Sequence, residues 1–350
     1  MVDAHVESFI WARVAGYDLA SAHGPGLLGG RFWSQADLPR MAEAGLTGVV
    51  LSIATNPFRR RARRTPTLAA NLDRLRAFVE RHGDDLALVC DLDGYRRARA
   101  SGRLACFLAV QGGNALTTAD DLDRLPPGLL SRVTLVHLTP SAVGTPSTPV
   151  TAFGSRRPVT AFGSRRPGSR LDEGGGLTPL GAALVEACNA RRVLVDLAHI
   201  SRRGFWDALA VHDPSLPVIV SHTGVRAVHD VWRNIDDDQV RAVADRGGVV
   251  GIMFHSPFLG DRFWTGSADA IARHVEHVVR VGGADAVAIG SDFDGLIVPP
   301  RDLSTVSQLP VLAQRMLDRR FPPELVGKVL GANYLRVVGE IRPGAATASS

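Results

Sequence analysis

The sequence predicts an α/β fold of the (β/α)8, TIM-like barrel type, and three observations predict it. Short runs rich in Val, Ile and Leu alternate with amphipathic, helix-like stretches along the whole chain, a pattern that implies βαβ units and a parallel sheet. Eight such runs carry the alternation, the number that closes a barrel. The chain has 350 residues, a normal length for one barrel of about 250 residues with insertions. One domain is therefore expected over residues 1–341, with a low-complexity loop insertion at about 140–176 and a disordered tail at 342–350.

The strand-like runs lie at residues 2–7, 48–53, 105–111, 133–137, 193–199, 218–222, 249–254 and 286–292. A ninth run at 86–90 reads as an accessory strand or part of a connection. Helical stretches lie at 35–44, 68–82, 179–190, 236–245, 268–281 and 309–319. Asp236 and Gln239 have capping-box spacing ahead of Val240 and Val243, a helix-start signal with no functional content. Between the fourth and fifth runs a Pro/Gly/Ser-rich segment contains a perfect tandem duplication, PVTAFGSRR at 149–157 and again at 158–166. Two copies of a short unit do not make a solenoid, so a mobile surface insertion is expected, a tolerated duplication rather than a lid.

Hydrophobic residues make up 45% and charged residues 21%, a globular composition. The start, MVDAHVESF, lacks the basic-then-apolar pattern of a signal peptide, and no apolar run approaches about 18 residues. A cytoplasmic chain without a membrane partner is expected. Cys90, Cys106 and Cys188 are odd in number, lack metal-type spacing and sit in apolar runs, which reads as buried free thiols. The net charge of +5 comes almost wholly from arginine, Lys328 being the only lysine. Arginines cluster at 59–64 (RRRARR) and at 156–170, segments that read as loops at the mouth of the barrel. Neither cluster interleaves aromatics, so no nucleic-acid partner is expected.

Side chains able to bind metal recur at the carboxyl ends of the runs: His5 and Glu7 on the first, Gln111 on the third and His137 on the fourth. His199 ends the fifth, His222 the sixth and Asp292 the eighth. In a parallel barrel these ends converge on one face, where such enzymes build their sites. His5 and Glu7 are two apart on a strand and share a face. Neutral imidazoles suit zinc, and a carboxylate offsets its charge. His199 and His222, on adjacent strands, can hold a second cation or share the first. Asp292, in GSDFDG, is placed to handle the proton of a water activated by the ion.

The segments DAHVE, GLTPLGAALVEACNARRVLVDLAHIS, PVIVSHTGVRAVHDVWRN, RGGVVGIMF, AIGSDFDG and LGANYLRV resemble successive blocks of the membrane (renal) dipeptidase family, in order and nearly end to end. The resemblance implies a binuclear zinc hydrolase that cleaves dipeptides, including some with dehydro or D residues at the C-terminal position, and it suggests a homodimer. By matching motif, His5 and position 7 bind one zinc, His199 and His222 the other, and position 111 bridges them. His137 corresponds to the histidine that contacts substrate and stabilises the tetrahedral intermediate, Arg233 to the arginine that holds the substrate carboxylate, and Asp292 to the general acid/base. Asn234, beside Arg233, and His255, in the place of a family tyrosine, are further expected substrate contacts.

Two positions depart from the family. Glu7 stands where the family has Asp, and Gln111 stands where it has the bridging Glu. A neutral amide cannot supply the anionic bridge that holds two dications together, so one zinc per chain is favoured over two. Three readings remain open: a metal-dependent hydrolase of a dipeptide or dipeptide-like amide, a biosynthetic tailoring enzyme using the same pocket for a non-hydrolytic or non-peptide reaction, and an inactive binding scaffold. Retention of His5, His199, His222, Arg233 and Asp292 argues against the third, while Gln111 and Glu7 argue against simple dipeptidase activity; the first is the leading reading. His23, His82, His212, His274 and His277 read as surface or packing residues, Asp196 and Asp294 as groups that orient ligands or turns, and Trp232 as core.

Overall fold

A computed structural model describes residues 1–26, 28–54, 59–125, 128–147 and 175–343. Nine parallel strands run through these residues: β1 (Val2–Val6), β2 (Gly48–Ala54), β3 (Leu86–Leu88), β4 (Leu104–Gln111), β5 (Leu130–Thr134), β6 (Leu194–Asp196), β7 (Val218–Thr223), β8 (Val250–Ile252) and β9 (Val287–Ile289). Eight of them pair in the order β1-β2-β4-β5-β6-β7-β8-β9, while β3 pairs only with β4, as the accessory run it resembled in sequence. A bridge from Val6 to Phe293 and the Glu7 N–H bond to the Phe293 carbonyl (2.9 Å) join the two ends. Asp3 ties the same seam, its Oδ1 accepting from the amides of His5 (3.1 Å) and Ser291 (3.0 Å). The result is the predicted (β/α)8 barrel.

The strands read as hydrophobic throughout because a parallel sheet is covered on both faces. On β4, Cys106, Leu108 and Val110 pack towards the helices, while Ala105, Phe107 and Ala109 face the interior with Val2, Ala4 and Val50. Tyr334 of the helix Asn333–Ile341 fills the interior from the amino-terminal end, its ring edge-on to Phe107 at 6.2 Å. Gly331, at φ 146°, makes that approach possible, since a Cβ there would lie 2.8 Å from the Val2 nitrogen.

Three strands carry one more residue than the neighbour they pair with. In β1, Asp3 and Val6 pair with Val49 and Leu51; in β5, Leu130 and Arg132 pair with Leu108 and Ala109; in β7, Val220 and Thr223 pair with Val250 and Ile252. Such bulges re-aim side chains beside active sites. The bulge in β1 lets His5 join Ala4 on the interior, and that in β7 does the same for His222 beside Ser221.

The helices Pro179–Ala190 and Ala268–Gly282 match the sequence expectation to within a residue, and the Asp236/Gln239 capping box forms with both reciprocal bonds at 3.0 Å. The helices Leu92–Ala100 and Arg202–Val211 have no counterpart among the expected elements; the first buries only Tyr95 and Ala98, too thin an apolar stripe to register. Three expectations need correction. The strands of the fifth and eighth runs end early, and the chain passes into the left-handed region at His199 (φ 65°) and Asp292 (φ 64°). RRRARR is not all loop: Arg61–Arg63 form a 3-10 turn and Arg64 opens the helix Arg64–Arg81, its Nε bonded to the Arg59 carbonyl at 2.9 Å. Cys90 is only partly buried, because it follows β3 at the outer edge of the sheet.

The duplicated segment and the tail beyond residue 343 lie outside the described residues. The flanks of the former do not: Gly144 bridges Leu177, Pro146 bridges Ile200, and the Ser147 N–H bonds to the His199 carbonyl at 2.6 Å. Among the described residues no helix is long and apolar enough to cross a membrane.

Candidate metal centre

The carboxyl ends of β1, β4, β6 and β7 bring His5, Gln111, His199 and His222 together as the sequence placed them. His199 Nε2 and His222 Nε2 lie 2.8 Å apart, and Gln111 Nε2 lies 3.3 and 3.4 Å from them. The His5 and His222 rings stack at 3.8 Å. His5 Nε2 is 3.4 Å from Asp292 Oδ1 and 3.7 Å from Glu7 Oε1. His5, His222 and Asp292 thus offer ligand atoms within 4.8 Å of one another.

Beneath this cluster Asp196 is fully buried and accepts four hydrogen bonds: from the amides of Ala198 (3.0 Å) and Ser221 (2.9 Å), and from the hydroxyls of Thr134 and Ser221 (both 2.6 Å). Ser221 Oγ also contacts His222 Nδ1 at 2.8 Å. Having given its one proton to Asp196, that hydroxyl can only accept, so His222 carries its proton on Nδ1 and turns the Nε2 lone pair to the site. The bulge that permits this needs glycine on β8 and just beyond β9: a Cβ on Gly251 or Gly290 would sit 1.9 Å from the Ser221 carbonyl oxygen.

Burial holds all three histidines neutral, the form a metal requires. The value for His5 is pushed well below normal by burial and then by Arg132, that for His199 by burial and then Arg233, and that for His222 by burial and then His5. Asp292 is pushed well above the usual carboxylate range by burial and then by the charge of Glu7, with Arg233 opposing. Arg233 is itself buried, donates from Nη2 to the His222 carbonyl at 2.7 Å and is lowered to about 10 by desolvation.

These residues fit a divalent ion. Zinc bound at about 2.0–2.1 Å in tetrahedral geometry spaces its nitrogen ligands about 3.3 Å apart. His199 Nε2 and His222 Nε2 stand 2.8 Å apart, and the Gln111 amide lies 3.3 and 3.4 Å from them; its oxygen, not its nitrogen, is the atom that could ligate.

The remaining predicted residues divide. His137 stands beyond β5, its ring edge-on to His199 at 4.7 Å and its Nδ1 buried without a hydrogen-bond partner among the described residues. His255 is buried, accepts the Val298 N–H on Nδ1 at 2.9 Å and is lowered to about 3 by burial and then Arg233. Asn234 is a correction: Oδ1 accepts from Gly224 N (3.1 Å) and Nδ2 donates to the carbonyls of His229 and Phe258 (both 2.8 Å), so its amide braces three loops instead of facing substrate. Asp294 likewise braces, accepting from Ser8 Oγ and the amides of Gln35 (2.8 Å) and Ala36 (3.3 Å). Sequence reasoning missed Arg132, a fully buried guanidinium under His5. Its one signal was a charged residue inside the apolar run LSRVTLVH.

The profile of "Membrane dipeptidase (Peptidase family M19)" matches residues 2–350. The chain belongs to this family. An uncharacterized dipeptidase of Schizosaccharomyces pombe is 30% identical over 273 residues, which is 76% of this chain and 60% of that protein. An uncharacterized protein from the pqqA 5' region of Klebsiella pneumoniae is 35% identical over 173 residues, 49% of this chain and 63% of that protein. The matches therefore span 60% to 63% of the length of these curated relatives. In fold the chain is similar to a metallo peptidase of Rhodobacter sphaeroides liganded with a phosphinate mimic of the dipeptide L-Ala-D-Ala, with a TM-score of 0.80, 24% identity, and 97% of this chain and 98% of that chain covered. Membership in M19 makes this a dipeptidase-like metallopeptidase by family, and a metal cofactor is implied.

Proposed function

We propose that this M19 protein hydrolyses the amide bond of a dipeptide or dipeptide-like substrate with one divalent ion, zinc by donor chemistry, per chain. The observation that carries the reading is the convergence of His199 and His222, 2.8 Å apart and both held neutral by burial, beside the Asp292 carboxyl. His199 and His222 would hold the ion, which when bound acts as a Lewis acid and lowers the pKa of a bound water.

The chain's own residues account for the rest. Arg233, a buried cation at the rim of the cluster, pairs with the substrate carboxylate and fixes its orientation. Asp292, its basicity raised by burial and by Glu7, takes a proton from the attacking water and returns it to the departing amine. His137, standing beyond β5 at the edge of the site, donates to the oxygen on which charge develops. Glu7 and Asp292 keep the pocket anionic around the ion.

The test is metal analysis of protein purified without chelator, paired with a dipeptide panel that includes L-Ala-D-Ala. One equivalent of zinc, lost when His199 and His222 are both replaced by Ala, together with hydrolysis is the expected result. Two tightly held equivalents, or no hydrolysis of any dipeptide by the metal-loaded protein, would overturn the reading.

A further inference from the structure

We propose that Arg132 holds the His5 proton on Nε2, which keeps that nitrogen from ligating a metal and thereby closes the β1 half of the site to a second ion. The inference rests on the one-ion reading above and supplies a cause for it that is independent of Gln111.

Arg132 points from the β5 bulge into the barrel, where its side chain is entirely buried. Nη1 donates to the Ala4 carbonyl at 2.8 Å, and Nη2 lies 2.8 Å from both Ser52 Oγ and His5 Nδ1. A guanidinium has only N–H donors and stays charged in a protein. The His5 nitrogen that faces it must therefore present a lone pair. Ser52 Oγ, 3.1 Å from the same nitrogen, is free to donate to it as well.

A neutral imidazole carries one proton, so with Nδ1 accepting, the proton sits on Nε2. That nitrogen looks towards the carboxylate oxygens of Asp292 at 3.4 Å and Glu7 at 3.7 Å, close enough for charge to favour the proton there though neither contact is a hydrogen bond. For His5 Nε2 to bind a metal, its proton would have to move to Nδ1, directly against the guanidinium. His222 is arranged in the opposite sense, its Nδ1 proton resting on Ser221 Oγ, which itself donates to Asp196, and its Nε2 lone pair turned to the site. Ligating histidines ordinarily have the His222 arrangement. The two rings stack face to face yet offer opposite functions at the same edge.

The fixed charge of Arg132 acts in the same direction. A second dication would share a low-dielectric interior with a permanent cation already there, whose charge is offset at closest range by Asp196, 3.5 Å from Arg132 Nε. Arg132 is thus a positioning residue that acts through His5.

The experiment has two arms. In the metal-free protein, two-bond 15N–1H correlation of histidine-labelled protein, with His5 assigned by His5→Gln, should show the Nε2–H tautomer for His5 and the Nδ1–H tautomer for His222. Zinc stoichiometry is then measured by elemental analysis after dialysis for the unaltered chain, Gln111→Glu, Arg132→Met, Arg132→Lys and Gln111→Glu/Arg132→Met. One equivalent is expected for the first two and for Arg132→Lys, and two for Gln111→Glu/Arg132→Met. Arg132→Met alone should bind the second ion at least tenfold more tightly than the unaltered chain does.

An Nδ1–H tautomer for His5 overturns the proposal even if every Arg132 variant fails to fold. A second equivalent gained by Gln111→Glu alone also overturns it, leaving the missing bridge as the whole cause while the one-ion reading stands. Two equivalents in the unaltered chain would remove the one-ion reading itself.

Discussion

Replacing Asp196 by Asn tests the buried framework beneath the histidines. Asp196 and Arg132 form an ion pair at 3.5 Å in which neither side chain has any exposed surface. Asn is nearly isosteric: its Oδ1 can still accept from the Ala198 and Ser221 amides, and the hydroxyls of Thr134 and Ser221 can turn to accept from the new Nδ2. The lost quantity is the charge that lies nearest to Arg132. Removing one partner of a buried pair costs about 3–5 kcal/mol. With roughly 2.1 cal/mol/K of unfolding entropy per residue, the 350-residue chain loses about 5 °C in Tm for about 4 kcal/mol. Calorimetry of the metal-free protein reads this directly. The double variant Asp196→Asn/Arg132→Met should be several kcal/mol less damaged than the sum of the two single changes, because it leaves no orphaned charge. A second readout follows from the same geometry. If Ser221 turns to accept from the introduced amide, its proton points at His222 Nδ1 and the lone pair leaves the site, so zinc affinity should fall roughly 10–100-fold. A Tm loss under about 1 °C, or strict additivity in the double variant, would refute the reasoning.

Three further outcomes are expected. Gln111→Glu should tighten the first zinc at least tenfold in chelator competition and raise dipeptide hydrolysis, while lowering the Tm of the metal-free protein because a carboxylate is then buried beside neutral imidazoles; unchanged affinity and rate would count against Gln111 lying at the ion. Arg233→Lys should raise KM for a free dipeptide about 10–100-fold by losing the two-pronged grip on a carboxylate, and should leave a C-terminally amidated dipeptide unaffected; equal effects on both would argue that Arg233 does not hold that group. His274, buried with Nδ1 accepting from Val225 N at 2.9 Å, is lowered to about 4 by desolvation. The unfolded chain therefore takes up this proton first as pH falls, so the contribution is whole above pH 6.5 and is lost towards pH 4, and His274→Asn should lessen that acid loss by about 3 kcal/mol in urea titrations.

The barrel was legible in the sequence because a two-sided parallel sheet needs continuous apolar strands, and those leave a clear trace between amphipathic helices. The ligand-type residues were legible for a related reason: a polar side chain ending an apolar run pays desolvation on folding, and a ligand or a buried hydrogen-bond partner must offset that cost. Where strands stop was not legible, since His199 and Asp292 leave the sheet through left-handed backbone that neither residue type announces. The bracing role of Asn234 was hidden because proximity in sequence to Arg233 says nothing about which way an amide points. Arg132 escaped because the apolar pattern of the fourth run starts only at Val133, one residue after the bulge that turns the guanidinium inward. Single-residue offsets of this kind exist only in the pairing between strands, which one strand's pattern cannot record.

Those offsets have a consequence for how such a site can change over generations. His5 and His222 face the site because β1 and β7 each hold one residue more than the strand beside them. A single-codon deletion in either strand would straighten the ladder and rotate every later side chain to the opposite face, exchanging the histidine for a neighbour without altering any codon that specifies a ligand. Libraries built from point substitutions can tune the donors in this pocket, yet they never sample that move. Libraries of in-frame deletions would reach it in one step.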